Sequence, residues 1–290
     1  MKQGSFKGII SILIALFLLS WLISMVMGRM MDEELYSGNV AIIPIDGFIS
    51  FSKPLGISSN VDPHATVEKI KKAAAAPNIK AIVLDINSGG GTPVASETIV
   101  NAVKAVNKTT VAIIRDLGAS GAYWIASSAS TIIASKYSMT GSVGVRGSFI
   151  DYSGLLQRYN MSYERLVGGE LKDIGDPFRP VSEAEKAMLQ DRIDTMHKLF
   201  VADIKANRKL GSSQAAQIST GNFYLGQEAK KLGLIDIIGG DAELHKFLKE
   251  KLNTTEISPV TLTEKISIWD RLPSLFAKNP LQLNSGISLT

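Results

Sequence analysis

The chain has 290 residues, of which 45% are hydrophobic and 20% charged, so it can bury a sizeable core and is neither disordered nor fibrous. It has no cysteine, which excludes a disulfide framework, a cysteine nucleophile and thiolate metal sites. The net charge of +4 is spread along the chain without a basic cluster, so nothing in the sequence indicates nucleic-acid binding. We expect neither a metal nor a cofactor.

The first element is an uncharged run of 21 residues, 8–28. At about 1.5 Å per helical residue it spans a hydrocarbon core of ~30 Å, which predicts a transmembrane anchor. A cleaved signal peptide is the competing interpretation, but the run exceeds the usual apolar core of about 7–15 residues and no A-x-A-like site follows it. Lysines before the run and acidic residues after it predict a single-pass cell-membrane protein with a cytoplasmic N-terminus and an extracytoplasmic main domain.

The predicted organisation has five parts: a cytoplasmic N-terminus (1–7), the anchor (8–28), a linker (29–39), a main domain (40–252) and an irregular C-terminal extension (253–290). In the main domain, strands are predicted at 39–49, 80–86, 109–115, 131–134 and 162–167, with helices near 64–76, 93–107 and 182–209. The capping box Ser182-x-x-Glu185 is predicted to open the last of these helices. Apolar strands alternating with helices are typical of an α/β fold whose mostly parallel sheet is covered on both faces.

Two loops at the carboxyl ends of these strands are unusual, and ligands bind at such ends in open α/β sheets. The first is "NSGGG" at 87–91, where three glycines follow a strand. Glycine lets backbone N–H groups approach a ligand closely, which suits an oxyanion hole. A tight strand-to-helix turn is the alternative interpretation of the same residues.

The second loop is "GASGAYW" at 118–124. Small residues around Ser120 permit a sharp turn with Oγ exposed at a helix start, where the N–H of Gly121 could bind a developing oxyanion. This arrangement has the physics of a nucleophile elbow without the G-x-S-x-G letters. An isolated serine in such a turn is usually structural. Because a serine hydroxyl is a weak nucleophile, a nucleophilic Ser120 also needs a base.

The histidines are poor candidates for this base. The chain has three, and none of them lies in a glycine-rich loop: His64, His197 and His245. A lysine is the alternative, and Lys172 lies between two glycine-containing turns in "GGELKDIGDPF". A neutral lysine near pH 7 needs a pKa about 3 units below its usual ~10.4, which requires burial away from carboxylates. The carboxylate of the adjacent Asp173 would favour the charged lysine. Adjacent side chains of an extended segment point in opposite directions, so this effect is avoided if Asp173 faces outward. Without further information, a surface lysine is the ordinary expectation for Lys172.

Five segments, taken together and in this order, resemble the signal peptide peptidase A family of membrane-anchored Ser/Lys proteases, peptidase family S49. They are "NSGGG", "GASGAYWIA", "TGSVGV" at 140–145, "GGELKDIGDPFR" at 168–179 and "YLGQEAKKLGLIDIIGG" at 224–240. The resemblance covers roughly residues 40–250. It implies a Clp protease/crotonase-like fold, a serine endopeptidase activity and cleaved signal peptides as substrates.

The resemblance also implies a role for six residues: Ser120 as nucleophile, Lys172 as general base, Ser142 as the group that orients the lysine amine, and the N–H groups of Gly91 and Gly121 as the oxyanion hole, with Gly90 a rival to Gly91. It implies a ring of identical subunits in which the serine and the lysine of one site come from neighbouring protomers. Such an interface would bury Lys172.

The sequence departs from the family pattern at four positions: Gly89 replaces a proline, Ala122 and Trp124 replace a glycine and a tyrosine, and Ser130 replaces an aspartate. Losing the proline leaves the glycine loop less constrained. Two other functions remain open. One is a catalytically silent membrane scaffold of the same fold, and the other is a crotonase-like acyl-CoA enzyme.

Overall fold

The computed structural model describes residues 13–23, 37–52, 56 and 59–263. Residues 13–23 form helix α1, whose apolar side chains are exposed. Within the described ranges, no helix combines the length and the apolar character needed to cross a membrane. Of the predicted anchor 8–28, the structure describes only the residues of α1. Most of the predicted linker, and residues 264–290 of the extension, lie outside the described residues.

The strands are β1 (Val40–Asp46), β2 (Phe48–Ile49), β3 (Asn60–Val61), β4 (Ala81–Ser88), β5 (Thr109–Ala119), β6 (Thr131–Ala134), β7 (Met139–Gly141), β8 (Phe223–Leu225), β9 (Ile237–Ile238) and β10 (Pro259–Thr261). The helices after α1 are α2 (Pro63–Ala75), α3 (Pro93–Lys104), α4 (Gly121–Ser127), α5 (Ser153–Arg158), α6 (Glu183–Arg208), α7 (Ser212–Ile218), α8 (Gly226–Lys231) and α9 (Asp241–Leu252).

The main sheet has the strand order β10-β1-β4-β5-β6-β9, and these neighbours are parallel. Strand β5 is 11 residues long and changes neighbours along its length. Its residues 111–114 pair with β6, and its residues 117–119 pair with β7. Strand β8 then pairs antiparallel with β7. The end of β5 therefore carries its own small extension of the sheet.

Both faces of the sheet are buried, as the alternation along β4 makes clear. Ile82 and Leu84 point into a large core shared with α2, α3 and α4. Val83, between them, points into a second core with Leu244 and Leu248 of α9. Successive side chains of a strand face opposite sides, so each face of this parallel sheet needs a helical cover. The predicted mixed α/β architecture with a mostly parallel sheet flanked by helices is confirmed.

The predicted strand at 162–167 is wrong. These residues have no regular secondary structure and are exposed, with Leu166 95% exposed. A segment becomes a strand when a neighbouring strand satisfies its backbone, and among the described residues no strand pairs with this segment.

The C-terminal extension is not irregular throughout, contrary to expectation. Residues 259–261 form β10, which pairs in parallel with β1. The side chain of Asn39 fixes this edge, accepting from the Ser258 N–H at 2.9 Å and donating to the Glu256 carbonyl at 3.0 Å. Val260 is buried against the core. The main sheet therefore continues past the predicted boundary at residue 252.

Helix α4 is held from beneath by the segment that follows α8. Tyr123 is fully buried, and its hydroxyl donates to the Leu234 carbonyl at 2.9 Å. Burial raises the pKa of Tyr123 far above its usual range. Arg208, at the end of α6, donates to the Gly233 carbonyl and to Asp236. These bonds fix the position of the helix that begins beside Ser120.

Candidate active site

Ser120 is the single residue between β5 and α4, and its backbone is strained. It has φ 53° and ψ −125°, a conformation that residues with a Cβ rarely adopt. Its N–H donates to the Gly141 carbonyl at 2.8 Å, and its carbonyl accepts from the Trp124 N–H at 3.0 Å. A strained serine at a sharp strand-to-helix turn is the geometry of a nucleophile elbow.

The glycine loop lies directly against this turn, and its backbone is anchored on both sides of Gly90. The Gly90 N–H donates to Ser88 Oγ at 3.1 Å, and its carbonyl accepts from the Ile49 N–H at 3.1 Å. The Thr92 N–H donates in turn to the Ile49 carbonyl at 2.9 Å. Gly90 has φ +99°, which a glycine adopts freely.

Two backbone N–H groups at this junction are left for a ligand. In a planar trans peptide the C=O and N–H point in opposite directions, so the Gly91 N–H points away from Ile49. Neither Gly91 nor Gly121 donates its N–H to a partner within the described ranges. The Gly91 nitrogen lies 3.4 Å from where a Cβ on Gly121 would sit. The N–H of Gly90 is already engaged by Ser88, so Gly91 suits an oxyanion hole better than Gly90.

The packing around this junction requires glycine at three positions. A Cβ on Gly90 would lie 2.8 Å from the Gly121 nitrogen and 2.9 Å from Ser120 Cβ. A Cβ on Gly121 would collide with Ser96 Oγ, and one on Gly91 with the Ile49 carbonyl. Glycine 89 has no such conflict, because its nearest neighbour would be Leu117 Cδ2 at 3.5 Å.

The structure also brings Ser142 to Ser120. Gly141, whose carbonyl binds the Ser120 N–H, pairs with Ala119 in the β5–β7 ladder, and Ser142 comes next in the chain. Ser142 has φ 50°, and its N–H donates to the Asn222 carbonyl at 2.8 Å. Ser120 and Ser142 therefore directly follow a pair of neighbouring residues, Ala119 on β5 and Gly141 on β7.

Lys172 is not joined to Ser120 within one chain. It is exposed in a series of turns, and among the described residues its side chain makes no hydrogen bond or ion pair. The backbone N–H of Lys172 donates to the Gly169 carbonyl at 3.1 Å, which shapes the turn. Among the described residues, no hydrogen bond joins the predicted nucleophile to the predicted base.

The neighbouring Asp173 is bound by two arginines, a feature that the sequence analysis missed. Arg165 Nε donates to Asp173 at 2.6 Å and Arg179 Nε donates at 3.0 Å. Hydrogen bonds from Arg165 and then from Arg179 hold the pKa of Asp173 well below its usual range. Arg179 also donates to Glu185 at 2.6 Å and, with Ser182, lowers the pKa of Glu185 to about 2.

This ion cluster ties the turns around Lys172 to the start of α6. Glu185 completes the predicted capping box, since its carboxylate accepts from the Ser182 N–H at 2.8 Å and its own N–H donates to Ser182 Oγ at 3.2 Å. Arg179 ends the motif "GGELKDIGDPFR", and that position next to a capping box was the available signal.

The histidines do not provide a base for Ser120. His64 packs its ring on Phe51, with the ring centroids 5.0 Å apart, and His245 is exposed on α9. His197 Nε2 lies 3.2 Å from the Val143 carbonyl. No hydrogen bond joins any of the three to Ser120 in the part of the chain that the structure describes, so a Ser-His pair is not formed.

The family can be stated from sequence comparison. The model of Peptidase family S49 matches residues 102–255, a little more than half of the chain. The chain belongs to peptidase family S49. The S49 match contains Ser120, Gly121, Ser142 and Lys172, and the glycine loop precedes it. The predicted family is confirmed.

Individual proteins from other organisms are also similar to this chain. Protease 4 of Salmonella typhi is 31% identical over 235 residues, which cover 78% of this chain and 38% of that protein. Serine protease SPPA, chloroplastic, of Arabidopsis thaliana is 28% identical over 243 residues, covering 82% of this chain and 36% of that protein. A protein of Methanocaldococcus jannaschii is 36% identical over 180 residues, 61% of this chain and 58% of its own. The matched region therefore spans between about a third and three fifths of these relatives.

Among solved structures, the 1510-N membrane-bound stomatin-specific protease, as a variant in complex with a substrate peptide, is 16% identical. The alignment covers 82% of this chain and 97% of that chain, with a TM-score of 0.47.

Proposed function

We propose that this S49 chain is a serine endopeptidase with a Ser120/Lys172 dyad. Neutral Lys172 accepts the Ser120 proton as Oγ bonds to the peptide carbonyl carbon, and the carbonyl oxygen becomes an oxyanion. The lysine ammonium then returns that proton to the leaving amine as the C–N bond breaks. A water, deprotonated by the same lysine, hydrolyses the acyl-enzyme and regenerates Ser120.

The observation that carries this proposal is the strained Ser120 beside two unengaged N–H groups, those of Gly91 and Gly121. A serine held at positive φ in a sparsely populated conformation costs on the order of 1–3 kcal/mol, which a fold retains where the strain serves a function. Donors fixed before the reaction stabilise the oxyanion without reorganising. We assign to Ser142, which directly follows β7, the role of orienting the amine that arrives at Ser120.

We assign Lys172 to the site of a neighbouring copy of the chain in a ring of identical subunits. Exposed apolar side chains flank it, among them Leu166, Val167 and Leu171. An interface that buries this surface would also disfavour the charged ammonium. The carboxylate of Asp173 is already occupied by Arg165 and Arg179, so it is not free to hold the lysine in its charged form.

The fold we propose is of the Clp protease/crotonase type, and the proposed substrates are cleaved signal peptides and other membrane-associated peptides. Residues 8–28 are proposed as a single-pass anchor that leaves the N-terminus in the cytoplasm and the peptidase domain on the other side of the membrane. The uncharged sequence of that run and the exposed apolar side chains of α1 support the anchor.

The test is cleavage of an internally quenched peptide with an alanine–leucine core by the purified full chain, alongside Ser120→Ala and Lys172→Ala. Each variant is expected to lose at least about 1,000-fold in kcat while keeping the wild-type oligomeric size. Lys198→Ala, an exposed lysine on α6, is the control and should keep wild-type turnover. Undiminished turnover by either dyad variant would contradict the assignment.

Mixing the two inactive variants tests the shared site. If Ser120 and Lys172 come from different protomers, randomly mixed oligomers regain about a quarter of the wild-type activity. In an equal mixture, about one site in four combines an intact Ser120 from one protomer with an intact Lys172 from its neighbour. A site formed within one chain gains nothing on mixing. A well-assembled wild-type chain without turnover would favour the silent scaffold, and stabilisation by coenzyme A would favour the acyl-CoA enzyme.

A further inference from the structure

Ser88, the second residue of "NSGGG", has a role that the dyad does not assign to it. Its side chain is buried at the end of β4, with 2% of the residue exposed. The hydroxyl donates to the Gly47 carbonyl at 2.5 Å and accepts from the Gly90 N–H at 3.1 Å. One hydroxyl therefore connects the β1–β2 turn to the glycine loop and uses its proton and a lone pair in doing so.

This bond fixes one of the two peptide planes that meet at Gly90. The 89–90 plane is held by Ser88 through its N–H, and the 90–91 plane is held by the Ile49 N–H through its carbonyl. The second plane carries the Gly91 N–H. Its direction depends on both anchors, because Gly90 has no side chain and three glycines in a row give the backbone little resistance to rotation.

We propose that Ser88 is a positioning residue that aligns the Gly91 N–H with the oxyanion of the substrate. The inference depends on the proposed function, since it assigns to Ser88 the preorganisation of that oxyanion hole. Where a proline would stiffen the loop through its ring, this chain has Gly89, and the buried hydroxyl supplies the restraint.

The test is the kinetics of Ser88→Ala with the same quenched peptide. Losing the hydrogen bond from the Gly90 N–H to Ser88 is expected to lower kcat by between about 10-fold and 100-fold and to leave KM within about twofold. A misplaced oxyanion donor weakens transition-state binding more than substrate binding. Ser88→Cys keeps the side-chain volume with a poorer hydrogen-bonding group, so it should show a smaller loss of kcat in a fully folded protein.

Ser138→Ala is the matched control. Ser138 is equally buried, and its hydroxyl also accepts a backbone N–H, that of Ser135 at 3.0 Å, and donates to a carbonyl, that of Arg115. It does not touch the glycine loop. Its loss should lower the thermal midpoint about as much as the Ser88 variant does but leave kcat unchanged.

Further outcomes decide the inference. Gly89→Pro in the Ser88→Ala background is expected to recover part of kcat, since a ring restraint replaces the lost bond. Wild-type kcat in both Ser88 variants, or equal losses of kcat in the Ser88 and Ser138 variants, would overturn the positioning role. If Ser120→Ala is inactive while Ser88→Ala is fully active, the positioning role fails and the dyad stands. An active Ser120→Ala overturns the dyad itself.

Discussion

At the scale of single residues, the candidate site consists of two backbone turns in close contact, and most of their residues are glycine or other small residues. Gly90 leaves room for Gly121 and Ser120, while Gly91 leaves room for Ile49. Here a methyl group is too large. A substitution at the junction should therefore affect both stability and turnover, and two adjacent glycines allow the effects to be separated.

Gly90→Ala should be destabilised by about 1–3 kcal/mol and lose most activity, because Gly90 has φ +99° and its Cβ would lie 2.8 Å from the Gly121 nitrogen. Gly89→Ala is the control, since its Cβ meets Leu117 Cδ2 at an ordinary 3.5 Å. Urea unfolding and peptide cleavage measure the two effects. Equal behaviour of the two variants would show that the close approach at Gly90 is not required.

At the scale of elements, the segment around Lys172 is organised by ion pairs where the main sheet is organised by apolar packing. Arg179 donates to Asp173 and to Glu185, and so fastens the turns of 168–179 to the first turn of α6. Sequence periodicity found α6 and its capping box, because both are local patterns. It could not find the arginine cluster, since the partners of Arg179 are set by how the turns fold back. It also placed a strand at 162–167, where the apolar side chains are exposed instead.

The arginine cluster predicts an acid-sensitive stability. Asp173 and Glu185 have pKa values below the usual carboxyl range of about 4, so their ion pairs stabilise the folded chain above that range. This stabilisation is lost as pH falls from about 4 through the Glu185 pKa of about 2. Thermal midpoints measured between pH 7 and pH 2 should fall steeply at the acid end for the wild type.

Arg179→Ala should flatten that acid dependence and lower the midpoint at pH 7. Arg192→Ala removes an exposed pair with Asp191, at 3.4 Å, and should leave the curve unchanged. If the Arg179 and Arg192 variants follow the same curve as the wild type, the cluster does not govern stability in acid.

At the scale of the whole molecule, the parallel sheet and its two helical covers could be predicted from the sequence, since apolar strands alternate with amphipathic helices over most of residues 40–252. Ser120 and the glycine loop followed from the rule that ligands bind at carboxyl strand ends. The approach of Ser142 could not be derived from the residues alone. It depends on β5 exchanging β6 for β7, a long-range pairing that no local pattern indicates. The edge strand β10 was missed for the same reason.

Strand β10 predicts where the domain can be shortened. A chain ending at residue 252 loses β10 together with the buried Ile257 and Val260, and should be destabilised by about 2–4 kcal/mol. A chain ending at residue 263 keeps the whole described sheet and is expected to match the full chain in denaturant midpoint. Identical midpoints for both truncations would show that β10 adds nothing to the fold.

The divided pairing of β5 has a consequence for how an assembled peptidase would be switched on. Ser120 and Ser142 directly follow the paired residues Ala119 and Gly141, so the β5–β7 ladder and the bond from the Ser120 N–H to the Gly141 carbonyl hold their relative position. Subunit docking cannot alter that relative position. Of the groups proposed for catalysis, Lys172 is the one that assembly would bring into the site. Activation by assembly would then depend on the position of Lys172 relative to Ser120. An isolated protomer, complete in every other respect, would be a zymogen without a propeptide.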